Sequence, residues 1–222
     1  VIVAGAGQAP SAGALNWSVA AVASAAISET APSEVCHRTT SSALSAKRAV
    51  TGLTTEFVVD TRRDVADAPG FGTTLTLATL LSNRGADGVI SLREAIDAAN
   101  RTAGLNTIRF NLPGGAQQTI NLVSALPSIT EAVVIDATSD TDFAGSPVIE
   151  LNGASAGSGV AGLRLASTVN GGSIRGFVIN RFSTNGILLD GADNVVIAGN
   201  YIGTDFTGQL DRGNTEDGIQ LQ

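Results

Sequence analysis

Acidic and amide side chains crowd two stretches near the end of this 222-residue chain, and their types allow two kinds of chemistry. Asp190, Asp193 and Asn194 share one turn, whereas Asp205 and Asp217 belong to a longer polar stretch. Their oxygens are the ligands that Ca²⁺ prefers, and paired carboxyl groups can hydrolyse a glycosidic bond. Asp and Asn also serve as ordinary turn residues. Because no local motif assigns a catalytic role, we predict ligand binding at these five residues, without catalysis and without a cofactor beyond weakly bound Ca²⁺.

A repeated phrase indicates which elements position these side chains. Gly162-Leu-Arg-Leu165 returns as Gly186-Ile-Leu-Leu189 and again as Gly218-Ile-Gln-Leu221. Apolar residues alternate within each phrase, as in a strand with one buried face. A repeat of roughly two dozen residues is typical of a solenoid, whose coils bury their apolar faces only by stacking. We therefore predict an all-β fold, a right-handed parallel β-helix, with a β-sandwich as the alternative.

The segment 91–100 is the clearest helix in the sequence. Ser91 and Glu94 match a capping box, in which each side chain accepts a hydrogen bond from a backbone N–H of the first turn. An apolar stripe follows at helical spacing, formed by Leu92, Ala95, Ile96 and Ala99. A stripe placed before the first coils can cover the open end of a solenoid core. We therefore predict structural roles for Ser91, Leu92, Glu94 and Ile96.

Composition divides the chain into three regions. Residues 1–50 are rich in Ala, Ser and Thr without sustained apolar periodicity, which predicts a poorly ordered leader or linker. Residues 51–118 form the predicted capping region, and residues 119–222 the predicted coils. The chain ends within a predicted strand, so we expect further coils to follow in a longer protein.

Charge and cysteine content exclude several classes of function. The formal net charge is −7, and no Lys/Arg cluster is available to meet phosphates, which argues against a nucleic-acid partner. The same charge repels anionic polymers unless a cation bridges them. The sequence contains no run of about twenty apolar residues, which argues against a membrane span. One cysteine excludes an internal disulfide and a cysteine-based zinc site.

The phrase from Asp87 to Asn100, which contains Ser-Leu-Arg-Glu-Ala, resembles the CSLREA domain of bacterial surface proteins. Ile90 stands where that family usually has cysteine. The phrase Gly199-Asn-Tyr-Ile-Gly-Thr-Asp-Phe-Thr-Gly208 is similar to the β-helix repeats that accompany the domain. The resemblance covers about residues 56–222, and it implies a pectin-lyase-like fold in a secreted or cell-surface bacterial protein.

Three functions remain open at this stage. The first is a non-enzymatic adhesive or structural module that presents its turn loops to carbohydrate or to a protein of a host or cell surface. The second is a polysaccharide lyase or glycoside hydrolase. Lyases of this fold combine Ca²⁺ with an arginine base, and the resemblance gives Arg181 or Arg212 as nominal candidates. The third is a passive spacer in a large multidomain protein.

Overall fold

The computed structural model describes residues 2–4 and 55–222. A short strand, β1 (Ile2–Ala4), represents the N-terminal part. The predicted leader over residues 1–50 otherwise lies outside the described residues, as do residues 51–54 of the predicted capping region. Apart from β1, the described fold therefore begins at Thr55.

Short strands make up most of the regular structure, with two α-helices among them. The helices are α1 (Leu77–Ser82) and α2 (Leu92–Asn100), and a 3-10 turn covers Ala137–Ser139. The remaining strands are β2 (Thr55–Val59), β3 (Asn106–Phe110), β4 (Gln118–Asn121), β5 (Val133–Asp136), β6 (Ile149–Asn152), β7 (Leu163–Leu165), β8 (Gly172–Arg175), β9 (Phe177–Asn180), β10 (Ile187–Leu189), β11 (Val196–Ala198), β12 (Tyr201–Ile202) and β13 (Ile219–Leu221).

The strands form three sheets, and every pairing between them is parallel. The six-stranded sheet has the order β1-β11-β8-β5-β3-β2. The four-stranded sheet has the order β12-β9-β6-β4, and the three-stranded sheet the order β13-β10-β7. The prediction of an all-β fold built from parallel strands is thus confirmed, with few helices beside them.

From β7 onward the chain visits the three sheets in a constant rotation. β7, β10 and β13 belong to the three-stranded sheet, and the strands after each of the first two fall in the six-stranded and then the four-stranded sheet. The repeated phrases pair in register, with Ile187 beside Leu163 and Ile219. Leu163 and Ile187 are buried, as the alternation predicts. Each strand therefore adds to a sheet next to the equivalent strand of the preceding repeat.

The glycines that open the repeated phrases are required by close packing. A Cβ atom on Gly162 would lie 2.5 Å from the carbonyl oxygen of Gly186, and one on Gly186 would lie 2.7 Å from that of Gly218. Neither Gly162 nor Gly186 has a positive φ, so backbone conformation is not the reason for glycine here. These glycines recur because successive phrases stack backbone against backbone.

The capping region contains one helix more than the sequence predicted. Helix α2 begins after its N-cap Ser91, and the capping box with Glu94 is present. Residues 77–82 form this additional helix, α1, which has a second capping box between Thr76 and Thr79. The signal for α1 in the sequence is weak because its box uses Thr in place of the usual Glu or Gln at the third helical position.

Helix α2 is buried on its polar side as well as along its apolar stripe. It packs against β2, β3 and α1, and every residue from Leu92 to Ala99 is buried. The polar residues are covered by the chain between β2 and α1, since the backbone N–H of Gly72 donates to Asp97 (2.8 Å) and that of Ala68 to Glu94 (2.8 Å). Helix α2 and the loop that covers its polar side are thus joined by buried hydrogen bonds.

Candidate functional site

A cavity of about 400 Å³, lined by polar and apolar residues in similar measure, lies on the outer face of the three-stranded sheet. Its floor includes Arg164 of β7, Leu188 of β10 and Gln220 of β13. These three residues occupy the same place in the repeated phrase and pair in register, so they form one row across the strands. We call this cavity the three-strand groove.

One wall of the three-strand groove comes from a segment far away in sequence. Leu126 and Ser128 line this wall. Immediately after them, the backbone N–H of Ile129 donates to the carbonyl oxygen of Arg164 (2.8 Å), and that of Ala166 donates to Ile129 (2.9 Å). This bridge holds the wall beside β7, so the groove has both a flat floor and a fixed side.

Asn185 organises the polar groups at the other side of the groove. Its side chain is nearly inaccessible, at 2% exposure. Its amide nitrogen donates to Glu216 Oε2 (3.3 Å) and Gln220 Oε1 (3.1 Å), and its amide oxygen accepts from the backbone N–H of Asp217 (3.0 Å). Gln220 Oε1 also accepts from the Gln222 side chain (2.9 Å). The exposed groups of Glu216, Gln220 and Gln222 are therefore held in fixed positions before any ligand arrives.

Charges of both signs line the groove. Arg164 donates to Asp190, which follows β10, and the two side chains remain 53% and 39% exposed. Glu216 supplies a carboxylate from the segment before β13. A ligand in the groove therefore meets a cation, a carboxylate and amide groups, with Leu188 as an apolar contact. This mixture can donate to and accept from neutral hydroxyl groups without favouring a charged ligand.

The five predicted site residues lie in two connections between strands: Asp190, Asp193 and Asn194 between β10 and β11, and Asp205 and Asp217 between β12 and β13. Asp190 follows β10, whereas Asp217 precedes β13; because these strands are parallel and in register, the two carboxylates lie at opposite ends of the three-stranded sheet. Asp193 and Asn194 lie before β11, where the Asn194 side chain donates to Asn170 (2.7 Å). Asp205 follows β12 in the four-stranded sheet. Of the five, two contact residues of the three-strand groove: Asp190 forms an ion pair with Arg164, and the backbone N–H of Asp217 donates to Asn185.

Asp205 shows what these acidic side chains do locally. Its carboxylate accepts from the hydroxyl (2.6 Å) and backbone N–H (3.0 Å) of Thr207 and from the backbone N–H of Leu210 (3.3 Å). The Thr207 hydroxyl bond is the main reason that the pKa of Asp205 lies below its usual value. Its contacts are those of an Asx turn. Over residues 2–4 and 55–222, no three His, Cys, Asp or Glu side chains cluster closely enough to hold a metal ion.

The predicted structural residues lie in the cap, away from the groove. Leu92 and Ile96 are buried in the main apolar core. Glu94 accepts from the backbone N–H groups of Ser91 (3.0 Å), Asp67 (3.0 Å) and Ala68 (2.8 Å). Burial raises the pKa of Glu94 above its ordinary 4.5, and these hydrogen bonds offset part of the rise. The carboxyl group of Glu94 thus fastens the loop before α1 to the start of α2.

Lowering the pH from neutrality toward the raised pKa of Glu94 is expected to stabilise the fold through this residue. A raised pKa means that the folded state binds the proton more tightly than the unfolded chain. The stability that proton binding to Glu94 contributes is therefore fully present below the pKa of the unfolded chain, and it is lost as the pH rises through the pKa of the folded state. Melting temperatures measured from neutral pH down to the ordinary value of about 4.5 should differ in slope between the parent and Glu94→Gln. Equal slopes would contradict the prediction, and Asp87→Asn in the half-buried turn before α2 is the control.

The residues that build the groove were not among the predicted site residues. Arg164, Leu188 and Gln220 carried a usable signal, because the third position of the repeated phrase changes chemical type, whereas the second is always Leu or Ile. Asn185 and Glu216 carried a weaker signal. Each precedes a phrase-opening glycine, Gly186 or Gly218, but the two stand at different distances from it.

Comparison of the chain with protein-family models, with curated proteins and with solved structures finds no match. Among the described residues, neither helix has the length and apolar character needed to cross a membrane.

Proposed function

We propose that this chain is a right-handed parallel β-helix module that binds carbohydrate without transforming it, as part of a secreted or cell-surface bacterial protein. The constant rotation of strands β7 to β13 through three parallel sheets supports the β-helix. In that arrangement the cap formed by α1 and α2 covers one end of the apolar core. The resemblance of residues 87–100 to the CSLREA domain supports the surface location.

The observation that carries the binding proposal is the three-strand groove. Asn185 holds Glu216 and Gln220 in fixed orientations, and the Arg164 guanidinium lies in the same cavity. Such groups pair with the hydroxyls of a sugar, because each hydroxyl both donates and accepts. Leu188 and Leu126 supply apolar contact for the C–H groups of a sugar ring. No aromatic residue lines the groove, so we expect weak affinity for one sugar and stronger binding through several repeats.

Fixed polar groups favour binding because less side-chain freedom is lost when the ligand arrives.

A protein ligand of a host or cell surface is the second class of partner that the exposed row of Arg164, Leu188 and Gln220 could accept. The cavity is a groove of about 400 Å³ on a short sheet, which suits part of an oligosaccharide chain better than the broad contact of a stable protein interface.

Replacing Gln220 by Ala is expected to weaken oligosaccharide binding roughly tenfold, because Asn185 and Gln222 lose their common acceptor and the ligand loses an amide contact. NMR titration with neutral oligosaccharides of several linkages measures the effect. Gln209→Ala, at an exposed position in the loop after β12, is the matched control and should bind as the parent does. Absence of binding to every neutral glycan, or equal loss in both variants, would contradict the proposal.

Product assays on pectic and neutral polysaccharides test the enzymatic alternative. We expect no cleavage, since Asp190 is engaged by Arg164 and lies at the opposite end of the sheet from Asp217. Turnover that Asp190→Asn or Asp193→Asn abolishes would replace the binding proposal by a hydrolase or lyase.

A further inference from the structure

A second cavity, of about 540 Å³, lies on another side of the molecule and contains two neighbouring cations. Arg62 and Arg63 line it where the chain leaves β2, and Gln117, Thr119 and Asn121 line it at the start of the four-stranded sheet. We call it the arginine cavity. It shares no lining residue with the three-strand groove.

The local backbone places both arginines at the cavity. Thr61 is buried, and its hydroxyl oxygen accepts from the backbone N–H of Arg63 (3.2 Å), which fixes the turn after β2. Gly114 lies under the Arg62 guanidinium, because a Cβ atom there would be 3.7 Å from Arg62 Nη2. The charged end of Arg62 is therefore directed toward the loop between β3 and β4.

These two cations have no acidic partner among the described residues. The acidic neighbours in sequence are already engaged, since Asp60 pairs with Arg84 and Asp64 pairs with Arg93. No ion pair joins Arg62 or Arg63 to a carboxylate within residues 55–222. The arginine cavity thus concentrates positive charge on a chain whose formal net charge is −7.

Uncharged polar groups complete the arginine cavity. In the described part of the chain, the Gln117 and Asn121 side chains make no hydrogen bond. The Thr119 hydroxyl donates to Glu150 Oε2 (2.7 Å), which leaves its oxygen free to accept. The Glu150 carboxylate lies behind Thr119, whereas the two guanidinium groups line the cavity itself.

We propose that the arginine cavity binds the anionic group of an acidic sugar residue. Arg62 and Arg63 take the carboxylate or sulfate, because guanidinium groups pair with planar and tetrahedral oxyanions through charge-assisted hydrogen bonds. Gln117, Thr119 and Asn121 take the ring hydroxyls. The overall negative charge weakens such binding little at close range, since charges beyond about 8 Å are screened at physiological ionic strength. This inference does not depend on the three-strand groove.

Calorimetric or NMR titration with glucuronate, glucose 6-sulfate and glucose tests the proposal. We expect one of the two anionic sugars to bind at least roughly tenfold more tightly than glucose, and Arg62→Ala and Arg63→Ala each to weaken it roughly tenfold. Tighter binding of glucuronate identifies a uronate ligand, and tighter binding of glucose 6-sulfate a sulfated one. Arg109→Ala, which removes an exposed arginine paired with Glu56, is the control for net charge and should lower the affinity less than twofold.

Equal affinity for glucose and both anionic sugars would overturn the proposal, as would equal losses in Arg62→Ala and Arg109→Ala. Arg62→Lys and Arg63→Lys should each keep part of the affinity that the corresponding Ala substitution removes, because Lys retains the charge but lacks the planar fork of the guanidinium. Gln220→Ala should leave binding of the anionic sugar unchanged. The arginine cavity and the three-strand groove can therefore fail or succeed separately.

Discussion

Leu92→Asp is expected to lower the free energy of unfolding by roughly 4 kcal/mol or more. Leu92 begins helix α2 and is 1% exposed within the main core. The substitution removes a buried apolar side chain and places a carboxylate in the apolar core. An acidic residue in the first helical turn gains about 0.5 kcal/mol from the helix dipole, which is far too little to compensate. Thermal and urea denaturation measure the loss.

Two variants separate a specific effect of the cap from a general effect of added charge. Leu81→Asp makes the same chemical change on the neighbouring helix α1, where the side chain is 51% exposed, and it should change stability by less than about 1 kcal/mol. Asp193→Ala removes an exposed turn residue and should also have a small effect. A parent-like melting curve for Leu92→Asp, together with collapse of Asp193→Ala, would show that the predicted role of the cap is wrong.

Asp64→Ala is expected to destabilise the fold by roughly 3–5 kcal/mol, because it leaves the Arg93 guanidinium buried without a counter-charge. Arg93 Nε and Nη2 each donate to an Asp64 oxygen at 2.7 Å, and the two side chains are 9% and 2% exposed. The same guanidinium donates to the carbonyl oxygens of Ser124 and Ala125, and Asp64 also accepts from the backbone N–H of Val123. The pair therefore joins α2, the chain after β2 and the segment after β4.

A double variant identifies the cause of that loss. Asp64→Leu combined with Arg93→Met removes both charges and should recover most of the stability that Asp64→Ala loses, since a buried pair costs much of its attraction in desolvation. Glu56→Ala breaks the exposed pair with Arg109 and should cost at most about 1 kcal/mol. Equal losses in Asp64→Ala and Glu56→Ala, measured by urea denaturation, would show that Asp64 and Arg93 do not form a stabilising buried contact.

Elements with a local or repeated cause were predictable from the residues alone. Ser91 and Glu94 specify the start of α2 within four residues, because both hydrogen bonds of the capping box form inside the first turn. Gly162 and Gly186 indicate the repeat, because the backbones of stacked phrases approach too closely for a Cβ atom at these positions. The alternation of apolar residues predicted the buried face of β7 and β10, which needs no knowledge of what lies opposite.

Contacts between distant segments could not be predicted in the same way. The stripe on α2 suggested a helix with one buried face, yet Arg93, Glu94 and Asp97 are buried as well. Their partners are Asp64, Ala68 and Gly72, which lie 29, 26 and 25 residues earlier in the chain than Arg93, Glu94 and Asp97. A charged residue reads as exposed until the loop that covers it is known. Burial of these groups is therefore a property of the folded chain.

The same distinction between local and long-range causes applies to the candidate sites. The row of Arg164, Leu188 and Gln220 follows from the repeat, because equal positions in stacked strands face the same way. Leu126 lies beside that row because the hydrogen bonds of Ile129 hold its segment next to β7. The repeated phrases do not predict this contact. The predicted acidic residues do not form one site. Asp190 and Asp217 lie at opposite ends of the three-stranded sheet, and Asp205 follows a strand of the four-stranded sheet. A groove forms where separate segments meet, so its position depends on tertiary packing.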